Sequence, residues 1–122
     1  MQWPTVVIAN SDSACSALLA RELRERARNV VIASSSDELP NTIRKHRAEA
    51  LVADLETISL ESVSQLRSEF PELKLICTHR VPDEQMWADS LGAGAADCCS
   101  SNDVDDVIRA ALGKPYARAH AA

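Results

Sequence analysis

The sequence predicts a doubly wound α/β domain of five β-α units built around one parallel sheet. Two observations carry this. Five short aliphatic runs recur along the chain, each separated from the next by an amphipathic stretch, with no low-complexity linker between units. Capping and helix-breaking residues fall at the joints. The runs are Val6 to Ala9, Val30 to Ala33, Ala50 to Ala53, Leu73 to Cys77 and Ala95 to Cys99, and all five read as strands buried on both faces.

The first helix begins near Ser13, turns Leu19 and Leu23 toward the sheet at an i, i+4 spacing, and ends before Asn29. Pro40 gives the second a late start, with Leu39, Ile43 and His46 on one stripe. The third covers Leu60 to Phe70 and stops at Pro71. The fourth starts at Pro82 or Asp83 and ends in "GAGA", where Gly92 and Gly94 supply the C-terminal turn. Asn102 or Asp103 caps the fifth, which runs to Leu112. His46 and Trp87 read as packing residues on helical stripes, and His79 stands just past the fourth strand. The chain therefore reads as a single domain over residues 1–122, with a core at about 4–112 and a fraying, Ala-rich tail at 113–122.

At 122 residues the chain can bury a real core, and with 46% apolar but only 3% aromatic residues that core must be mostly aliphatic. The formal net charge of -5 argues against a nucleic-acid partner. The densest basic stretch, "RELRERAR", is interleaved with glutamate and reads as a solvated helix face. No apolar run approaches the roughly 20 residues that span a bilayer, and no signal peptide is visible, so a cytoplasmic protein without membrane contact is expected. Cys15, Cys77, Cys98 and Cys99 form no CxxC and have no His at zinc-like spacing, which favours buried thiols.

A doubly wound sheet gathers its functional groups where the strands end. Strand one offers Asn10, Ser11 and Asp12 there, strand three ends in "ALVAD" with Asp54 at the lip, strand four in "LICTH" with Thr78 beside it, and strand five in "DCCSSND". The order of elements, the lone strand-three aspartate, the strand-four threonine and "LGAGAADCC" before a capped last helix together resemble a response-regulator receiver domain. The resemblance spans residues 4 to 112 and implies a flavodoxin-like sheet of strand order 2-1-3-4-5. It also implies phosphoryl transfer from a histidine kinase onto Asp54, assisted by magnesium held by an acidic pair, with a strand-five lysine and the Thr78 hydroxyl contacting the phosphoryl group.

The sequence departs from that pattern at several positions. Asn10 and Ser11 stand at the acidic pair, Ser101 at the lysine, Asn102 at the residue after it, and Cys98 at the aromatic switch position. The loop "LETISLES" lacks the usual Met-Pro and Gly and is shorter. Asp12 is the one carboxylate that can compensate, so any magnesium site at Asp12 and Asp54 is expected to be weak and no cofactor is expected. The resulting expectation is an atypical, non-enzymatic receiver that works by protein binding without the phosphorylation cycle, its partner being a histidine kinase, an output protein or a second copy of itself. The partner face implied by resemblance comprises the fourth helix, fifth strand and fifth helix, with Met86, Trp87, Asp103 and Asp106 and, around them, Asp83, Glu84 and Asp105. The alternatives are a receiver still phosphorylated on Asp54 and a flavodoxin-type ligand-binding domain. The second needs a glycine-rich phosphate cradle, and none follows strand one.

Overall fold

A computed structural model of the chain describes residues 4–33 and 35–113. The elements alternate as β1 (Thr5–Ala9), α1 (Ser13–Leu23), β2 (Asn29–Ile32), α2 (Leu39–His46), β3 (Ala50–Asp54), α3 (Leu60–Glu69), β4 (Lys74–His79), α4 (Glu84–Ala93), β5 (Asp97–Ser100) and α5 (Val104–Leu112). The five strands form one sheet in the order β2-β1-β3-β4-β5, every pair parallel. This is the doubly wound topology that the alternation predicts.

Side chains alternate across the sheet and make two cores. Val6, Ile8, Val52, Ile76 and Cys99 face α1 and α5, packed with Leu19, Leu23 and Val107. Val7, Leu51, Leu75, Cys77 and Cys98 face the other way, against Leu39, Ile43, Val63 and Leu66. Leu51 and Leu75 are fully buried, and truncating either to alanine costs about 2–5 kcal/mol. Cys98 and Cys99 thus enter opposite cores, and all four cysteines are free thiols.

Four helices start on a side-chain cap: Asp12 for α1, Ser59 for α3, Asp83 for α4 and Asp103 for α5 each accept backbone N–H groups of the first turn. A 3-10 turn at Ser36–Glu38 leads into α2, whose early Pro40 is tolerated because its missing N–H would have had no partner there. At the far end of α4, Gly94 takes a left-handed φ of 113°, and a Cβ there would meet Arg67 Cγ at 2.6 Å. Arg67 crosses at this point, donating through Nε to the Gly94 carbonyl (3.1 Å) and through its other nitrogens to the carbonyls of Phe70, Pro71 and Leu73. It ties the C-terminal ends of α3 and α4 together.

Several element-level expectations need correction. β2 is an edge strand, with Asn29 and Ile32 exposed, rather than one buried on both faces. β4 extends to His79, so Thr78 and His79 lie within the strand. β5 begins at Asp97, because Ala95 is taken by the closure of α4, donating to the Ser90 carbonyl at 3.0 Å. Gly94 alone provides the left-handed turn, since Gly92 lies inside α4. Trp87 is 49% exposed and His46 only half-buried, so neither is a core packing residue. Of the tail expected at 113–122, residues 114–122 lie outside the described residues. Among the described residues no helix is long and apolar enough to cross a membrane.

Candidate functional site

The carboxyl ends of β1, β3, β4 and β5 surround an open cleft of about 370 Å³. Asp54 ends β3 at its wall, and parallel register sets it directly beside Thr78 of β4. Both are buried, Asp54 at 5% exposure. The Thr78 hydroxyl donates to Asp54 Oδ1 at 3.1 Å, and the Glu56 N–H donates to Oδ2 at 3.2 Å. Burial pushes the Asp54 carboxyl above its ordinary value, with the Thr78 and Glu56 hydrogen bonds pulling against it.

The space between Asp54 and the β1 loop is spanned by Thr57. Its hydroxyl accepts the Ser11 N–H at 2.9 Å and lies 3.1 Å from Ser11 Oγ and 3.4 Å from Asp54 Oδ2. With one hydroxyl proton, it serves one of those two oxygens at a time. Sequence reading placed Ser11 as a candidate but missed Thr57, which is 46 residues away and carries no motif.

The other strand-end residues serve their own loops. Asn10 Oδ1 accepts the Asp12 N–H at 2.9 Å, closing a turn. Asp12 Oδ1 accepts the N–H groups of Ala14 and Cys15 at 3.0 and 3.1 Å, so the carboxylate offered above as a compensating ligand starts α1. Ser101 is buried, its N–H donating to the His79 carbonyl at 2.9 Å and its own carbonyl facing the Cys15 thiol at 3.9 Å. Cys98 lies beside Cys77 in the α3/α4-side core, away from the cleft.

Glu56 and Arg80 are the pair that sequence reading did not select. Arg80 makes a two-pronged contact, Nε to Glu56 Oε1 at 2.9 Å and Nη2 to Oε2 at 2.7 Å. This pairing holds the Glu56 carboxyl below its usual range. His79 joins from the side: Nδ1 accepts the Val81 N–H at 3.1 Å, which leaves Nε2 to face Glu56 Oε1 at 3.8 Å. A signal was available, because Glu56 and Arg80 each follow by two residues a member of the paired Asp54 and Thr78.

The residues expected on a partner face divide between two sides of α4. Met86 packs against the α3-side core, whereas the Trp87 indole N–H reaches Asp97 of β5 at 3.4 Å. Asp103 caps α5 and Asp106 meets Arg109 at 3.5 Å. The cleft itself carries three carboxylates, Asp12, Asp54 and Glu56, and one cation, Arg80, already committed to Glu56. Among the described residues no group of three or more His, Cys, Asp or Glu side chains is arranged to hold a metal ion.

Comparison of the sequence with protein families and with curated proteins finds no match. Solved structures do match, across almost the whole chain. A Burkholderia pseudomallei response regulator, solved with a phosphorylated aspartic acid, calcium and citrate, superposes with a TM-score of 0.81 at 17% identity, covering 98% of this chain and 73% of its own. The receiver domain of a Francisella response regulator gives 0.79 at 17%, covering 95% and 98%. The signal receiver domain of a Mycobacterium tuberculosis response regulator gives 0.78 at 14%, covering 90% and 94%. The fold is therefore the flavodoxin-like fold of response-regulator receiver domains.

Proposed function

We propose that this chain is a receiver-type signalling domain that acts by binding another protein and does not run an aspartyl-phosphate cycle. The observation that carries this is the hydrogen-bonded chain Ser11–Thr57–Asp54–Thr78, in which hydroxyls and no cation surround the Asp54 carboxyl. Moving a phosphoryl group onto a carboxylate gathers negative charge, which must be met by a divalent ion and fixed cations. Here serine and threonine hydroxyls stand between Asp54 and the β1 loop. Asp12 caps a helix, Ser101 brings no charge, and Arg80 is forked onto Glu56. The carboxylates of Asp12, Asp54 and Glu56 are each held by partners within the chain and do not converge as a set, which suits magnesium poorly, since it demands near-octahedral oxygen ligands. Asp54 serves instead as the acceptor that organises its own loop.

The partner is a protein of a signalling pathway, a histidine kinase or an output protein, with self-association as the alternative. It docks on the α4–β5–α5 face, where Trp87 is the large exposed anchor. The domain catalyses no reaction of its own and works in the cytoplasm. A second reading, a phosphoacceptor at Asp54, is favoured by one specific feature, the in-register Asp54–Thr78 pair at 3.1 Å. Beryllofluoride with magnesium, followed by amide NMR, separates the two. Unmoved Asp54, Thr78 and Ser101 signals are expected; a saturable shift of all three would establish the phosphoacceptor reading.

A further inference from the structure

A groove of about 450 Å³ opens between the N-terminal ends of α3 and α4. Arg67 holds the two helices together at their other ends, where it bonds to Gly94, so the gap lies at the cleft end of the molecule. Leu55, Leu60 and Met86 form its apolar wall, each only partly buried. Asp83 and Asp89 stand on its rim, and no Lys or Arg lines it. Asp83 caps α4, but its full negative charge exceeds the half-charge of the helix dipole it faces. Asp89 is held by Gln85 Nε2 at 2.9 Å, a neutral partner that leaves its charge in place. The one nearby guanidinium, Arg80, is turned to Glu56 on the cleft side.

We infer that this groove is the docking site for a protein segment that sets an arginine or lysine next to a leucine-sized side chain, on one face of a helix. The inference rests on the protein-binding reading above and adds to it a second surface and the partner's chemistry. Three apolar side chains without a covering element provide the contact area, and a helix laid in a groove reads such sites through residues one turn apart. The unopposed carboxylates select the sign of the partner's charge. The groove also shares its loops with the cleft: Leu55 follows Asp54 directly, and His79 follows Thr78. Groove residues thus stand one peptide bond from Asp54 and one from its partner Thr78.

The test uses the full chain, labelled for amide NMR, and two synthetic helical peptides. One carries leucine and arginine at i and i+4; the other replaces arginine by glutamate. The arginine peptide is expected to shift Leu55, Leu60, His79, Met86 and Asp89, and the glutamate peptide to shift none of them. The variant Asp83→Asn with Asp89→Asn keeps the cap and the Gln85 contact while removing both charges, and should weaken the arginine peptide about tenfold. Unchanged thermal unfolding of that variant shows that the loss is local. Equal binding of both peptides, or no shift at millimolar peptide, overturns the inference. Shifts at Trp87 and α5 in place of the groove overturn it while leaving the protein-binding reading standing. Groove binding that appears only with beryllofluoride and magnesium supports the groove but overturns the phosphorylation-independent reading.

Discussion

Magnesium gives the sharpest test of whether the cleft holds a divalent ion. A ligand that binds only the folded state stabilises it by RT ln(1 + [L]/Kd), so about 10 mM magnesium against a Kd of about 1 mM would add about 1.4 kcal/mol. For 122 residues the unfolding entropy is about 0.26 kcal/mol per degree, which makes that gain a rise in Tm of about 5 °C. With neutral Asn10 and Ser11 and a committed Asp12, a Kd of about 30 mM or weaker is expected, giving about 0.2 kcal/mol and less than about 1 °C. Ser11→Asp adds one charge beside the cleft. Ser11 Oγ and Asp54 Oδ2 are joined through Thr57 by contacts of 3.1 and 3.4 Å, so an ion between them feels both carboxylates. An added unit charge about 4 Å from a divalent ion, screened as in water, contributes about 2 kcal/mol, or about thirtyfold in affinity. The variant should therefore recover the rise of about 5 °C in a thermal melt at matched ionic strength, reversed by chelator. A comparable rise in the unmodified protein, or no magnesium response in Ser11→Asp, would refute the reasoning.

Three further outcomes can be measured directly. Asp54 binds its proton more tightly folded than unfolded, so its contribution is fully present below the unfolded carboxylate value, about pH 3.9, and is lost as pH rises through the raised folded value. The stability of Asp54→Asn relative to the parent, from urea midpoints, should thus grow with pH across that window and then level off; a difference that shrinks with pH would contradict it. Arg67→Met removes donors from four carbonyls at the α3/α4 closure and should cost about 2–4 kcal/mol, seen as a Tm lowered by about 8–15 °C. Of the four thiols only Cys15 is partly exposed, while burial pushes Cys77 up to about 12 and Cys99 well above its ordinary value. A disulfide reagent at mild alkaline pH should titrate one thiol in the native protein and four in denaturant.

The fold was legible because periodicity and breakers agree along the whole chain, and the departures have local causes. An aliphatic run does not say whether its strand sits at the centre or the edge of a sheet. "NVVI" reads like "TVVIA", yet β2 pairs on one side only and exposes Ile32. The Ala95 error came from counting apolarity without the helix cap, whose Ser90 contact claims that residue first. Trp87 fits a helical stripe in sequence yet stands 49% exposed, in keeping with its place on the expected partner face. The inward stripe of α4 runs through Met86, Ser90 and Ala93, and Ser90 is its one buried member, so Trp87 stands about 100° off the stripe toward β5.

The cleft was legible only as far as strand register reaches. Asp54 beside Thr78 follows from pairing two parallel strands of known ends, and extending that register by two residues finds Glu56 and Arg80 as well. Asp12 could also have been settled from sequence: a helix that begins at Ser13 makes Asp12 its N-cap, which fixes the carboxylate through Oδ1 on two backbone N–H groups and leaves one oxygen, Oδ2, to meet an ion. Thr57 lies beyond such reasoning, since its partner Ser11 is brought to it by the packing of β1 against β3 and nothing in either loop marks the pairing. Yet this contact gives the serine at position 11 its physical sense. An aspartate at position 11 would compete with Asp54 for the one Thr57 hydroxyl proton, and it would add a second charge near a carboxylate already disfavoured by burial. Serine there is the residue the rest of the cleft can satisfy without an ion, because its hydroxyl can donate to and accept from Thr57 in turn.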